Sequence, residues 1–160
     1  MKILFVCLGN ICRSPAASGV FDAMIAKKKL SDKIQSDSCG TGNWHIGRLP
    51  DERMVAAGAR RGYNFTHRAR RICTEDYYIF DLILAMDEYN FIDVLEDAPE
   101  GISLNRIRHF GEFCSGRFEN IQSVPDPYIG GIERDFEFAL DMIENGCDGL
   151  ITALKLRGVW

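Results

Sequence analysis

Apolar positions in this chain fall into two kinds of segment that alternate along it. Lys2 to Val6 (KILFV) is a β-branched and aromatic run, apolar enough for the centre of a sheet. From Pro15 to about Lys29, Ala16, Val20, Phe21, Met24 and Ile25 recur at helical spacing. Ser14 suits the cap or first turn of that helix, Pro15 suits its first turn, and Lys27-Lys28-Lys29 suits the negative end of its dipole. A weak strand is predicted around Ile34 to Asp37, and Ser38 to Gly42 reads as a flexible, turn-rich loop. Pro50 to Arg61 predicts a second helix with Asp51 and Glu52 in its first turn and Gly62 as its C-cap. Thr74-Glu75-Asp76 opens a short helix, Phe80 to Met86 is a buried strand, and Asp87 starts a helix running to about Leu95. Leu104 to His109 is a fourth strand, and Phe110 to Val124 has no clean period and reads as an irregular, surface-crossing loop. Glu133 to about Lys155 is a long helix with Phe136, Leu140, Ile143, Leu150 and Leu154 as its buried stripe. Gly146 and Gly149 are either weak points or close-packing positions in it.

Strands alternating with helices predict an α/β fold: a central four-stranded parallel sheet between two helical layers, flavodoxin-like or Rossmann-like, with its site at the carboxyl ends of the strands. At 160 residues the chain is expected to form one domain spanning 1–160. Its formal charge is −4 and it has no basic block, which argues against nucleic acid as a partner. It has no run of the roughly 18 apolar residues that mark a membrane helix. Its apolar N-terminus feeds directly into a candidate reactive loop, which argues against a cleaved signal peptide. The cysteines at 7, 12, 39, 73, 114 and 147 have no metal-ligand spacing, and a chain so rich in core aliphatics does not need a disulfide framework. The expected setting is the reducing cytoplasm.

The chemistry begins where the first strand ends. Cys7-Leu8-Gly9-Asn10-Ile11-Cys12-Arg13 separates the strand from Ser14-Pro15 and the helix. Backbone N–H groups curling around a helix N-terminus form a cradle for a tetrahedral oxyanion. The Arg13 guanidinium can hold two of its oxygens in a fork, and the same positive surroundings favour a thiolate at Cys7. A thiolate beneath a bound phosphate is placed for in-line attack, with Ser14 within reach to hydrogen-bond it. The arginine and the amide cradle supply the charge that a metal gives elsewhere, so no cofactor is expected. A nucleotide-binding P-loop is excluded, because Gly9 is the loop's only glycine and no GK[ST] follows.

Three further stretches carry candidates. Trp44, in a Gly-rich loop, either walls a pocket or pins its loop to the body. The basic stretch Thr66 to Arg71 is a solvated face, an ion-pair network, or in part an attractor for an anionic substrate segment. Within it, His67 is either a donor that buttresses Asn10 and the reactive loop or a structural histidine. Asp126 lies between Pro125 and Pro127, with Tyr128 two residues on. A carboxylate on so rigid a backbone suits a general acid, the alternative being an ordinary turn residue.

With these residues quoted, the chain resembles the low-molecular-weight protein tyrosine phosphatases over essentially its whole length. Cys7-Leu8-Gly9-Asn10-Ile11-Cys12-Arg13-Ser14-Pro15 matches the family's phosphate loop, Asp126-Pro127-Tyr128 matches its general-acid motif, and the Met-Asp-Glu segment at Asp87 is also similar. The resemblance implies a phosphatase of phosphotyrosine in proteins and of small aryl phosphates. In it Cys7 is the nucleophile, Arg13 the phosphate clamp and Asp126 the acid and then the base. It gives Asn10, Ser38 and His67 supporting roles, and makes Trp44 and Tyr128 walls that sandwich the phenyl ring. It implies inhibition by inorganic phosphate and other oxyanions, a monomer or weak homodimer, and a redox use for Cys12 through a reversible disulfide with Cys7. Two departures stand out: Ile129 occupies the place of a second tyrosine found in many eukaryotic members, and the loop from Cys39 to Asn43 differs from familiar ones.

Three other functions compete. Arsenate reduction on the same loop needs a relay pair of cysteines, and only Cys73 lies mid-chain. Arginine-phosphate hydrolysis goes with threonine where Ile11 stands. A non-catalytic phosphopeptide-binding module would need neither Cys7 nor Asp126.

Overall fold

The computed structural model describes residues 1–160. Its elements are β1 (Lys2–Cys7), α1 (Arg13–Lys27), β2 (Gln35–Gly40), α2 (Glu52–Arg60), α3 (Asp76–Ile79), β3 (Leu82–Ala85), α4 (Glu88–Glu96), β4 (Ile107–His109) and α5 (Glu133–Leu156), with 3₁₀ turns at Leu104–Arg106, Phe110–Phe113 and Gly116–Phe118. All strand pairs are parallel, in the order β2-β1-β3-β4. The chain leaves β1 for β2 on one side and returns to β3 on the other. The point where such a sheet reverses its order opens a crevice at the carboxyl ends of its strands. Register brings those ends level, pairing Cys7 with Gly40, Val6 with Ala85 and Ala85 with His109.

Strand β1 is apolar throughout because both its faces are covered. Ile3, Phe5 and Cys7 face the larger core under α1 and α5, where the Phe5 ring meets Phe21 and Phe110 at centroid distances of 5.7 and 5.9 Å. Leu4 and Val6 face the smaller core, with Tyr77 and Phe80 from the α3 region and Val94 from α4. The long helix buries the stripe read from the sequence, and both its glycines are close-packing positions. A Cβ at Gly146 would come within 2.5 Å of the Phe110 ring, and one at Gly149 within 1.9 Å of the Phe113 carbonyl.

Several expectations need correction. Helix α1 starts at Arg13 rather than Pro15, with Cys12 as its N-cap, and of the two places open to Ser14 it takes the first turn. Ser38, Cys39 and Gly40 are strand, not loop. Pairing with β1 holds them extended, and Ser38 and Cys39 are fully buried. Strand β4 is shorter than expected, because Leu104–Arg106 winds into a 3₁₀ turn. Phe110 to Val124 does not run over the surface: Phe110, Phe118 and Val124 are buried in the larger core. Its lack of periodicity reflects two 3₁₀ turns, the first packed on α5 and the second reaching it through Phe118 and Arg117, which neither a helical nor a strand template captures.

Candidate active site

The loop after β1 is held open by a network centred on Asn10. Asn10 is fully buried and sits at φ 54°, a left-handed conformation that Asn tolerates better than most residues. Its Nδ2 donates to Ser14 Oγ and Ser38 Oγ, both at 2.9 Å, and its Oδ1 accepts from the Arg70 backbone N–H at 2.9 Å. That backbone donor fixes which end of the amide is oxygen. His67 Nε2, 3.1 Å from the same oxygen, is therefore the donor in its pair. Burial lowers the His67 pKa below its ordinary 6.5, favouring the neutral ring. Of the basic stretch, Arg70 pairs with Asp37 and Asp76, and Arg68 and Arg71 donate to the carbonyls of Gly47 and Thr41. Arg70 is thus spent on ion pairs inside the molecule, whereas Arg68 and Arg71 stay exposed.

Cys7 Sγ is buried at the mouth of this loop. It lies 3.0 Å from Ser14 Oγ and accepts from the Asn10 N–H at 3.2 Å. Ser14 Oγ is also 3.1 Å from the Cys39 carbonyl. A hydroxyl has one proton, so it is shared between these two acceptors: toward Sγ it supports a thiolate, toward Cys39 it leaves room for a thiol to donate. The backbone N–H groups of Gly9, Ile11 and Cys12 make no hydrogen bond within the chain. The Cys12 thiol is buried too, and burial, with Asp51 nearby, raises its pKa. No disulfide is present.

Arg13 lies under the loop with its side chain 2 % exposed. Nη1 donates to Asp87 Oδ2 at 2.5 Å and to the Val124 carbonyl at 3.1 Å, and Nη2 donates to Asp126 Oδ2 at 2.8 Å. Burial opposes its charge, but Cys7, Asp126 and Asp87 outweigh burial, and its pKa is raised. Nε is buried without a partner. A buried guanidinium with one N–H unmatched, next to free backbone amides and a sulfur, is an environment for an anion.

Asp126 reaches this point from a loop 113 positions away in the sequence. Val124 N–H donates to the Met86 carbonyl at 2.7 Å and ties that loop to the end of β3, while Asp126 Oδ1 accepts from the Tyr128 N–H at 3.1 Å. Cys7, Leu8, Gly9, Ile11, Cys12, Trp44, His45, Asp126, Tyr128 and Ile129 line a cavity of about 240 Å³. Trp44 is two-thirds exposed and stands over Gly42, whereas Tyr128 is braced edge-on by the His45 ring at 5.6 Å.

The structure therefore brings Cys7, Arg13, Ser14, Asn10, Ser38, His67, Asp126, Trp44 and Tyr128 into one neighbourhood. Sequence reasoning gave Asp87 no function. It caps α4 through the Asn90 N–H at 2.8 Å and at the same time holds Arg13. Its signals were an N-cap directly after a buried strand and the resemblance of the Met-Asp-Glu segment to the family. His45 and Ile129 were also missed as cavity wall. Nothing in local pattern distinguishes them from ordinary loop residues.

The profile of the family described as "Low molecular weight phosphotyrosine protein phosphatase" matches residues 2–158. A Synechocystis protein named for the low molecular weight protein-tyrosine-phosphatases is 44 % identical over 154 residues, 96 % of each chain. Among solved structures, a protein tyrosine phosphatase from Entamoeba histolytica superposes with a TM-score of 0.92 at 39 % identity, covering 99 % of both chains. The Drosophila arginine phosphatase superposes with a TM-score of 0.90 at 29 % identity, covering 97 % of this chain and 98 % of its own. Profile, sequence and fold agree from end to end, and the chain belongs to the low-molecular-weight protein tyrosine phosphatase family.

Proposed function

We propose that this protein hydrolyses phosphotyrosine in proteins, and small aryl phosphates, through a cysteinyl-phosphate intermediate. The observation that carries this reading is that Cys7 and Asp126 line one cavity while buried Arg13, its Nε unpaired, holds the Asp126 carboxylate through Nη2. Phosphate oxygens take the N–H groups of Gly9, Ile11 and Cys12 and the Arg13 fork, competing with Asp126 for Nη2. Sγ then attacks phosphorus as the bond to the leaving oxygen breaks, and protonated Asp126 gives that oxygen its proton. In the second step Asp126 takes a proton from water, the water oxygen bonds to phosphorus, and the S–P bond breaks to release phosphate and the thiolate. Trp44 and Tyr128 flank the phenyl ring. Cys12 is the candidate partner for a reversible disulfide with Cys7 under oxidation. The cytoplasm is the compartment in which these thiols stay reduced.

Arginine-phosphate hydrolysis is the second reading, since a relative with that name shares the fold. The aromatic walls and Ile11 favour the aryl substrate. The test is turnover of phosphotyrosine peptide, an aryl phosphate, phosphoarginine and arsenate side by side, in the wild type and in Cys7→Ser. The expected result is aryl turnover that the substitution abolishes while oxyanion binding persists. Preference for phosphoarginine, or full activity in Cys7→Ser, overturns the reading.

A further inference from the structure

Beside the cavity, a second arginine binds the loop that carries Asp126. Arg53, in the first turn of α2, is gripped by the carboxylate of Asp51: Nε donates to Oδ1 at 3.0 Å and Nη2 to Oδ2 at 2.9 Å. Its other contacts reach across the chain. Nη2 donates to the Tyr128 carbonyl at 3.3 Å and Nη1 to the Gly131 carbonyl at 3.4 Å. The guanidinium carbon lies 4.7 Å from the centroid of the buried Phe136 ring and 5.8 Å from that of Tyr128.

Asp51 is itself anchored twice. Its backbone N–H donates to the carbonyl of Ile11, in the phosphate loop, at 2.7 Å, and its side chain caps α2 through the Arg53 N–H at 2.9 Å. A continuous chain of contacts thus runs from the phosphate loop through Asp51 and Arg53 to the turn after Asp126. That turn is tight: Gly130 has a positive φ of 68°, and a Cβ at Gly131 would lie 1.8 Å from the Pro127 carbonyl. Its far side is unsupported, with Ile129 84 % exposed.

We infer that Arg53 is a positioning residue that straps the Asp126–Gly131 turn to the phosphate loop, setting where the Asp126 carboxyl and the Tyr128 ring stand relative to Cys7. The inference rests on the roles of Asp126 and Tyr128 proposed above. A guanidinium suits the task because one planar group can grip a carboxylate with one edge and reach two carbonyls with its remaining N–H groups. An ammonium offers the same charge without that fork. Arg53 touches no reacting atom, so its effect passes through Asp126, and a small displacement of a proton donor is enough to slow a reaction that needs it.

The test combines kinetics with amide exchange. Arg53→Ala is expected to lower kcat/KM, which reads the transfer of phosphate to Cys7, by roughly tenfold or more on phosphates with poor leaving groups and much less on those with good ones. In an Asp126→Ala background the same change is expected to add little. Asp51→Asn keeps a helix cap but loses the ionic grip, and is expected to reproduce the pattern without adding to Arg53→Ala. Arg53→Lys is expected to recover little of the loss. Independently of turnover, the Tyr128 amide and its neighbours to Gly131 are expected to exchange faster in Arg53→Ala, with the sheet unchanged. Equal loss of kcat/KM for all leaving groups, additivity with Asp126→Ala, full rescue by lysine, or unchanged exchange in the turn overturns the inference. Wild-type protein without aryl turnover would instead fail the reading of the preceding section, leaving the strap to be judged by exchange alone.

Discussion

Single side chains here do two jobs at once, and the sharpest predictions come from separating them. Asp87 caps α4 with one oxygen and holds Arg13 with the other. Asparagine keeps the cap and loses the charge. Asp87→Asn is therefore expected to leave the fold intact but to weaken phosphate inhibition and turnover by about tenfold, the scale of a charge-assisted hydrogen bond. Inhibition constants and kcat measured together check this. His67 gives a pH dependence with a definite sign. Burial lowers its pKa below 6.5, so as pH falls the unfolded chain takes up the proton first. The stability tied to the neutral ring is fully present above the ordinary value and is lost as pH falls toward the lower, folded-state value. His67→Gln keeps a donor for Asn10 and does not titrate. Urea unfolding at about pH 7 and about pH 5 is expected to show a smaller acid loss in this variant than in the wild type.

At the scale of elements, the phosphate loop takes its shape from its neighbours as much as from its own residues. The end of β2 lies so close beneath it that a Cβ at Gly40 would come within 2.6 Å of the Leu8 carbonyl and 3.1 Å of the Asn10 nitrogen. Gly40→Ala is expected to push the loop outward, lowering kcat by about tenfold or more and stability by roughly 1–3 kcal/mol. Turnover and thermal unfolding measure the two effects. The same proximity explains why Ser38 to Gly42 reads as a loop in the sequence. Small and polar residues are needed there because Ser38 Oγ serves Asn10 and Gly40 must clear the loop. Their strand character comes from pairing with β1, which residue type does not report. Helix α5 is the opposite case. Its stripe is long and regular, and its burial follows directly from its period.

Across the molecule, charge is concentrated where α2 meets α5. Arg61, 20 % exposed, reaches Glu137, Asp141 and Glu144 at 2.5, 2.9 and 2.7 Å. Partly screened pairs are individually weak, so Arg61→Ala is expected to lower stability by about 1–2 kcal/mol. The corresponding fall in Tm is roughly 3–6 °C, with kcat per folded molecule unchanged. Calorimetry alongside turnover checks it. What the sequence by itself determined is local. The run from Cys7 to Pro15 declares a loop carrying a cysteine and an arginine between a strand and a helix, Pro125-Asp126-Pro127 declares a rigidly placed carboxylate, and alternating periods declare a covered parallel sheet. Tertiary structure alone decided the encounters: Asp87 and Asp126 on Arg13, Ser38 and His67 on Asn10, Arg53 beneath the Asp126 turn. The physical reason is that parallel register delivers the carboxyl ends of β1, β2 and β3 to one edge. Residues distant in the chain then meet there through hydrogen bonds and ion pairs that leave no trace in the hydrophobic period of any single segment.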